Sequence, residues 1–167
     1  MAPPQPRWRA WTALAGLLAA GGTPGPAAVA ATATASFTVT AVVQATCLIQ
    51  VTSLVFATYT GLVDPATSSI TITCTNTTPY TVGLGVGLAG GATVTSRAMT
   101  AGTAALAYVM TSDAAHAINW GQTVGTDTIA GTGTGTAQVL TVYGQIAAGQ
   151  YVTPGTYNDT IIATVSY

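Results

Sequence analysis

Hydrophobic and polar residues alternate along much of the chain after residue 35, with a period of two. Successive side chains of a β-strand point to opposite faces, so this period predicts strands rather than helices. The alternation is clearest at 69–75, where Ile70, Ile72 and Cys74 fall on one face. Many short strands separated by turn residues favour an all-β antiparallel sandwich, with helices absent or very short. The other strand-like segments are 37–43, 48–56, 80–88, 93–99, 106–111, 116–120, 137–146 and 157–167.

The segment 80–88 (YTVGLGVGL) carries glycine at alternate positions. Its apolar residues are predicted to face inward and Gly83, Gly85 and Gly87 outward. A glycine face either admits the close approach of another backbone or reflects loose packing against a loop, and both interpretations stay open at this point. The stretch 121–136 is expected to be a loop or a sheet edge, because it is rich in Gly and Thr.

Charge is scarce, and this scarcity narrows the possible functions. Charged residues are 4% of the chain, whereas about 25% is usual in soluble domains. The chain has three Arg, four Asp, no Lys and no Glu. A nucleic-acid surface is excluded, since neutralising phosphates takes several clustered cations. Disorder is also disfavoured, because 49% of the residues are hydrophobic and the net charge is small.

The first 30 residues have the features of a cleaved secretory signal peptide. Arg7 and Arg9 precede a short apolar run at 11–20, and Ala28-Val29-Ala30 supplies the small-x-small pattern that signal peptidase reads. The apolar run is too short for a bilayer span, which takes about 20 residues. Cleavage is predicted after Ala30, with sites three or five residues later as alternatives. No transmembrane segment is expected in the mature chain.

Two cysteines, Cys47 and Cys74, lie beyond the predicted leader. In an oxidising, exported compartment an even pair indicates one disulfide. Two buried thiols or half of a zinc site are the alternatives. Zinc would need further Cys or His ligands, and His116 is the only histidine. One disulfide is therefore predicted, with no metal site and no cofactor.

Catalytic motifs are weak throughout. The stretch 131–136 (GTGTGT) has neither the lysine nor the following helix of a phosphate-binding loop. His116 has Asp113 as its near acid but no nucleophile motif, so it is predicted to be a solvent-side residue. Asp159 follows a Pro-Gly turn and is expected to form hydrogen bonds at a turn or strand start. An enzyme is not expected.

A set of short sequences, specific in combination, carries a resemblance to a known family. They are Thr46-Cys47, Leu54-Val55-Phe56, Ile72-Thr73-Cys74-Thr75, Pro79-Tyr80-Thr81-Val82, Arg97-Ala98-Met99, Leu106-Ala107-Tyr108, VYGQI at 142–146 and GTYNDT at 155–160. Together they resemble the spore coat protein U domain, which is shared with pilins of archaic (Csu-type) chaperone–usher pili. The resemblance covers 37–167. It departs at Ala57, where the family commonly has glycine.

The resemblance implies an incomplete immunoglobulin-like sandwich that lacks its C-terminal strand. A periplasmic chaperone would first lend a strand to the resulting groove, and an N-terminal extension of another subunit would then replace it. The matching extension is 36–45, with Phe37, Val39, Ala41 and Val43 as the side chains that fill pockets. The alternative is an ordinary first strand of the chain's own sandwich.

The resulting division is a leader at 1–30, a donor-strand extension at 31–46 and a pilin-like domain at 47–167. The expected function is a structural subunit of an extracellular fibre that serves surface adhesion or biofilm formation. Its expected partners are copies of itself or related pilins, a periplasmic chaperone and an outer-membrane usher. A secreted spore or cell-surface coat protein, or a surface-binding lectin-like module, are the alternatives.

Overall fold

The computed structural model describes residues 25, 27 and 29–167. The chain divides into two units, Met1–Thr40 and Ala41–Tyr167. The described residues of the first unit are exposed and form no strand. The predicted leader lies outside the described residues, apart from Gly25, Ala27, Val29 and Ala30.

The second unit is built from β-strands, and the predicted fold class is confirmed. No helix occurs in the part of the chain that the structure describes, so no helix there is long and apolar enough to cross a membrane. The eight strands found there are β1 (Cys47–Val51), β2 (Asp64–Cys74), β3 (Pro79–Leu84), β4 (Arg97–Ala101), β5 (Ala104–Thr111), β6 (Ile129–Thr132), β7 (Gln138–Ile146) and β8 (Ala163–Ser166).

The strands form two antiparallel sheets. One has five strands in the order β1-β2-β7-β5-β4, and the other has three in the order β6-β3-β8. The core lies between the sheets, and the alternation of β2 decides which face enters it. Ile70, Ile72 and Cys74 share one face as predicted, and all three are buried, while their sequence neighbours are less so.

One side of the sandwich is closed by the segment that precedes β6. Trp120 is fully buried, and its backbone N–H donates to the Met110 carbonyl of β5 at 3.1 Å. Its indole N–H donates to the Val82 carbonyl of β3 at 2.9 Å. The Leu84 N–H of β3 donates to the Gly121 carbonyl at 2.7 Å. This segment therefore connects the two sheets and fills the space between them.

The glycine-rich segment 80–88 is a strand only as far as Leu84. Gly83 is buried because a loop covers it: a Cβ at this position would lie 3.0 Å from the Gln122 Cα. The close approach of a backbone is thus the correct interpretation for Gly83. Beyond Leu84 the expected alternation is wrong, because Gly87 adopts a φ of 92° and turns the chain, leaving Leu88 exposed.

The expected strand at 116–120 is also wrong. Asp113 accepts hydrogen bonds from the backbone N–H groups of Ala117 and Ile118, which closes a tight loop. His116 has a φ of 54° within this loop, a conformation that an extended strand excludes. Only Asn119 pairs with a strand, through an isolated bridge to Thr111. Elsewhere 48–56 and 157–167 are strands only over β1 and β8, and β6 lies inside the expected loop.

The predicted disulfide is present and joins neighbouring strands. Cys47 opens β1 and lies directly opposite Cys74, the last residue of β2. Backbone hydrogen bonds join Thr46 to Thr75 and Thr52 to Ser69. Hydrogen-bonded and non-hydrogen-bonded pairs alternate along an antiparallel ladder, so Cys47 and Cys74 form a non-hydrogen-bonded pair. Such pairs bring side chains closest together, which suits a bond across the ladder.

Loss of the disulfide should destabilise the domain. We expect Cys47→Ser with Cys74→Ser to lower the free energy of unfolding by about 2–5 kcal/mol, because the bond restricts the unfolded chain. Urea unfolding followed by Trp120 fluorescence measures the change. Reduction of the unsubstituted protein serves as the control and should give the same loss. Equal stability of the oxidised protein and the double variant would contradict this prediction.

Candidate functional site: an open groove between the sheets

An open groove with both apolar and polar lining residues lies on the side of the sandwich away from Trp120. Its volume is about 360 Å³. One wall is the irregular chain that follows β1, at 51–56, and the other is the chain that leads into β8, at 157–163. The floor consists of inward-facing side chains from both sheets, namely Ile70, Leu84, Met99, Tyr108, Met110 and Val142.

Unpaired strand edges flank this groove. β1 is an outer strand of the five-stranded sheet and β8 of the three-stranded sheet, and the two strands approach each other. The Gly85 N–H donates to the Ile162 carbonyl at 2.9 Å, and this bond shows which residues of β8 point their backbone groups toward β3. Alternation then directs the backbone groups of Ala163 and Val165 away from β3. By the same reasoning, those of Ile49 and Val51 point away from β2. An added strand could accept and donate hydrogen bonds at either edge.

The first wall packs on a glycine. Leu54 and Phe56 follow β1 without strand pairing, yet both pack against the core. A Cβ at Gly144 of β7 would lie 2.5 Å from a Leu54 methyl and 3.0 Å from the Phe56 ring. Gly144 therefore gives these side chains room to lie against the five-stranded sheet. The VYGQI sequence at 142–146 supplies this glycine, although its role could not be read from the sequence.

The second wall crosses from one sheet to the other. Asn158 exchanges two backbone hydrogen bonds with Thr100 of β4, at 2.9 and 3.1 Å. Four residues later, Ile162 contacts β3 as described above. Asp159 lies at the crossover, and its carboxylate accepts from the backbone N–H groups of Leu88 and Thr160 at 2.7 Å each. The expectation of a turn hydrogen-bonding role for Asp159 thus agrees with the structure.

Tyr108 joins the floor of the groove to the second wall. Its hydroxyl donates to Asp159 Oδ2 at 2.7 Å, and its ring is buried. Burial raises the pKa of Tyr108, and the hydrogen bond and negative charge of Asp159 raise it further. The hydroxyl therefore remains a donor at neutral pH. Among the residues that line the groove, Asp159 alone carries a formal charge.

Arg97 is the largest polar feature that sequence reasoning missed. It is fully buried in β4 and donates to four backbone carbonyls, at 2.7–2.9 Å, those of Leu84, Gly85, Val94 and Trp120. Burial lowers the pKa of Arg97, and attraction to Tyr108, Asp159 and Asp127 opposes this effect. The side chain links the end of β3 to the segment that closes the opposite side. In the sequence it was the sole cation after the predicted leader and part of the Arg97-Ala98-Met99 resemblance, and neither observation indicated its burial.

The predicted donor residues are exposed to solvent, whereas most residues of the groove floor are buried. Phe37, Val39 and Val43 are 80–87% exposed, and Ala41 is exposed as well. No residue of the segment 36–45 belongs to a strand. Whether it acts as a donor strand stays a prediction.

His116 and Asp113 lie outside the groove lining. His116 packs edge-to-face on Tyr143, and its Nδ1 lies 3.1 Å from the Thr111 hydroxyl. Asp113 is half-buried, and the backbone N–H of Ile118 contributes most to lowering its pKa. Within the described part of the chain, no three His, Cys, Asp or Glu side chains group as metal ligands would.

Comparison with known proteins identifies relatives. Protein U of Myxococcus xanthus is 38% identical over 107 residues, which are 60% of this chain and 59% of that protein. Among solved structures, this protein matches one chain of a pre-assembly complex from the archaic chaperone–usher Csu pili of Acinetobacter baumannii. That complex contains the CsuC chaperone and the CsuE tip adhesion subunit. That match has a TM-score of 0.58 and 25% identity, and it covers 75% of this chain and 40% of that chain.

The chain thus spans about three-fifths of the length of Protein U and two-fifths of the solved chain. A model of the Spore Coat Protein U domain matches residues 33–164. This range includes every strand except the end of β8, together with both walls of the groove. The resemblance seen in the sequence is confirmed, and this protein belongs to the Spore Coat Protein U domain family.

Proposed function

We propose that this protein is a structural subunit of an extracellular chaperone–usher fibre, assembled by donor-strand complementation. The observation that carries the proposal is an open groove flanked by unpaired strand edges, in a chain that also exposes an alternating apolar segment. Such a groove leaves backbone groups at the strand edges unpaired and a space beside the buried core unfilled, which is costly and prone to aggregation. A strand from another chain corrects both defects at once.

The segment 36–45 matches the groove in length and chemistry. From Phe37 to Val43 it spans six residue steps, about 20 Å at the rise of a strand. The walls at 51–56 and 157–163 run for five and six steps and are of comparable length. The segment has no charge, and the groove presents only the carboxylate of Asp159, which already accepts three hydrogen bonds. Burial of four apolar side chains contributes on the order of 5–10 kcal/mol before ordering costs.

The start of β1 favours donation to a second chain. The Thr75 N–H donates to the Thr46 carbonyl at 3.0 Å, and the Thr46 N–H donates to the Thr75 hydroxyl at 3.2 Å. These contacts extend the ladder to Thr46. A return into the same chain's groove would need a reversal at Ala45-Thr46. Two-residue hairpins prefer Asn-Gly or Asp-Gly, and neither Ala nor Thr readily adopts the required positive φ.

The proposal includes an export route and partners. The leader at 1–30 would direct the chain to the periplasm, where a chaperone would cover the groove of the domain at 47–167. An outer-membrane usher would then exchange the chaperone strand for the extension at 31–46 of a following subunit. The solved relative comes from a complex of a chaperone with a pilus tip subunit, which supports this order of events. Adhesion or biofilm formation would be the role of the finished fibre at the cell surface.

Heat-sensitive multimers test the proposal. The exported protein, run on denaturing gels without boiling, should give a ladder that collapses to a monomer on boiling. A variant lacking residues 36–45 should give no ladder, because it retains the groove but has no strand to donate. A folded monomer from both proteins would refute the fibre. It would favour a coat protein, the second candidate, which the family's description as a spore coat domain supports.

A further inference from the structure

We propose that Tyr108 and Asp159 form a strut that fixes the distance between the two walls of the groove, and so act as positioning residues for the incoming strand. This inference rests on the proposed function. It adds a role for the two polar side chains that join the floor of the groove to its second wall. The occupant to which it refers is the segment 36–45 of a second copy of this chain.

The strut is continuous from wall to wall. On the first wall, the Phe56 ring meets the Tyr108 ring edge-to-face, with 6.0 Å between centroids and an interplanar angle of 67°. On the floor, the Tyr108 hydroxyl reaches Asp159 Oδ2 of the second wall at 2.7 Å. Edge-to-face aromatic pairs and hydrogen bonds to a carboxylate both have restricted geometry. The contacts therefore join the two walls directly, whereas the backbone hydrogen bonds of Asn158 and Ile162 join the second wall only to β4 and to the chain after β3.

The carboxylate end of the strut is anchored independently of Tyr108. Asp159 Oδ1 accepts from the Leu88 N–H and from the Thr160 N–H. Gly87 creates the space for the carboxylate, since a Cβ there would lie 2.1 Å from Oδ2. The loop after β3 therefore closes around Asp159. Its anchoring keeps the second wall in place, so that displacing Asp159 should displace the chain from 157 to 161.

The strut matters for strand binding because its residues face the occupant's space. Phe56, Tyr108 and Asp159 all line the groove. An incoming strand must fit between the walls while it pairs with the edge of β8. A fixed spacing spares it the cost of ordering the walls on binding, which is the general benefit of a preorganised site.

Tyr108→Phe tests the strut, because it removes the hydroxyl and keeps the ring against Phe56. Multimers of the full mature chain should dissociate about 10-fold faster in detergent at a fixed temperature than those of the unsubstituted chain. The unfolding rate of the domain, followed by Trp120 fluorescence, should increase by a smaller factor than the rate of multimer dissociation. In Asp159→Asn the amide oxygen can still accept from the Leu88 and Thr160 N–H groups, and the amide NH2 would donate to the Tyr108 hydroxyl, so this variant should fall between the two proteins.

Tyr143→Phe is the matched control, since it makes the same chemical change on β7 outside the groove lining. It should leave multimer dissociation unchanged. If Tyr108→Phe multimers dissociate at the parental rate, or only in proportion to faster unfolding, the strut is wrong while the fibre proposal stands. If the unsubstituted chain forms no multimers, the fibre proposal fails first, and the positioning role fails with it.

Discussion

Replacement of Arg97 by alanine should lower the free energy of unfolding by about 3–5 kcal/mol, the largest stability effect we expect from a single substitution. The guanidinium donates to four buried or partly buried carbonyls that lie on the end of β3, the following loop and the segment at Trp120. Truncation leaves these acceptors without their donors and opens a cavity in the core. Urea unfolding followed by Trp120 fluorescence measures the loss.

Two further variants make the Arg97 result interpretable. Arg97→Lys keeps the charge, but a lysine cannot reproduce the planar array of donors, so it should recover only part of the stability. Gln50→Ala removes an exposed polar side chain from β1 and should change stability by less than about 0.5 kcal/mol. An Arg97→Ala loss as small as that of Gln50→Ala would show that water replaces the guanidinium at little cost.

Ala41→Asp should abolish the multimer ladder while the domain still folds. In the proposed fibre, the Ala41 side chain enters the groove of the next subunit, where an unpaired carboxylate would be desolvated near Asp159. In the single chain Ala41 is exposed, so the charge should not affect the domain. Unboiled gels report on assembly, and circular dichroism reports on the fold.

Thr40→Asp is the control for Ala41→Asp, because it places the same charge on the adjacent residue. Neighbouring side chains of a strand point to opposite faces, so residue 40 should face away from the groove. We expect Thr40→Asp to keep most of the ladder. Loss of the ladder in both variants would indicate a general effect of charge, and persistence in both would contradict the assignment of 36–45 as the donor.

The sequence predicted those strands that have partners on both sides or a strict alternation. β2 is the best case, because Ile70, Ile72 and Cys74 alternate with polar residues and the strand lies between β1 and β7. Prediction failed where alternation continues but no neighbouring strand is present. The chain after Val51 and the chain before Ala163 have apolar residues at strand-like spacing, and both border the groove instead.

The candidate site was predictable only in part. The exposed segment at 36–45 came from a resemblance, since its alternation alone suits a first strand equally well. The role of Arg97 depends on contacts with backbone carbonyls. The hydrogen bond of Tyr108 to Asp159 joins residues that are 51 positions apart. Backbone acceptors leave no sequence pattern, and one polar pair cannot be distinguished from others without tertiary structure.

The disulfide has a mechanical consequence for the proposed fibre. Tension along such a fibre would enter each subunit through residues 36–45 and reach the domain at Cys47. Because Cys47 is covalently bonded to Cys74, the load passes at once into β2, a central strand of the larger sheet. The hydrogen bonds between β1 and β2 therefore do not break one after another under this load. The contacts that hold the donated strand in its groove are non-covalent, so they should break first under tension. An overloaded fibre would then separate between subunits, and each domain would stay folded.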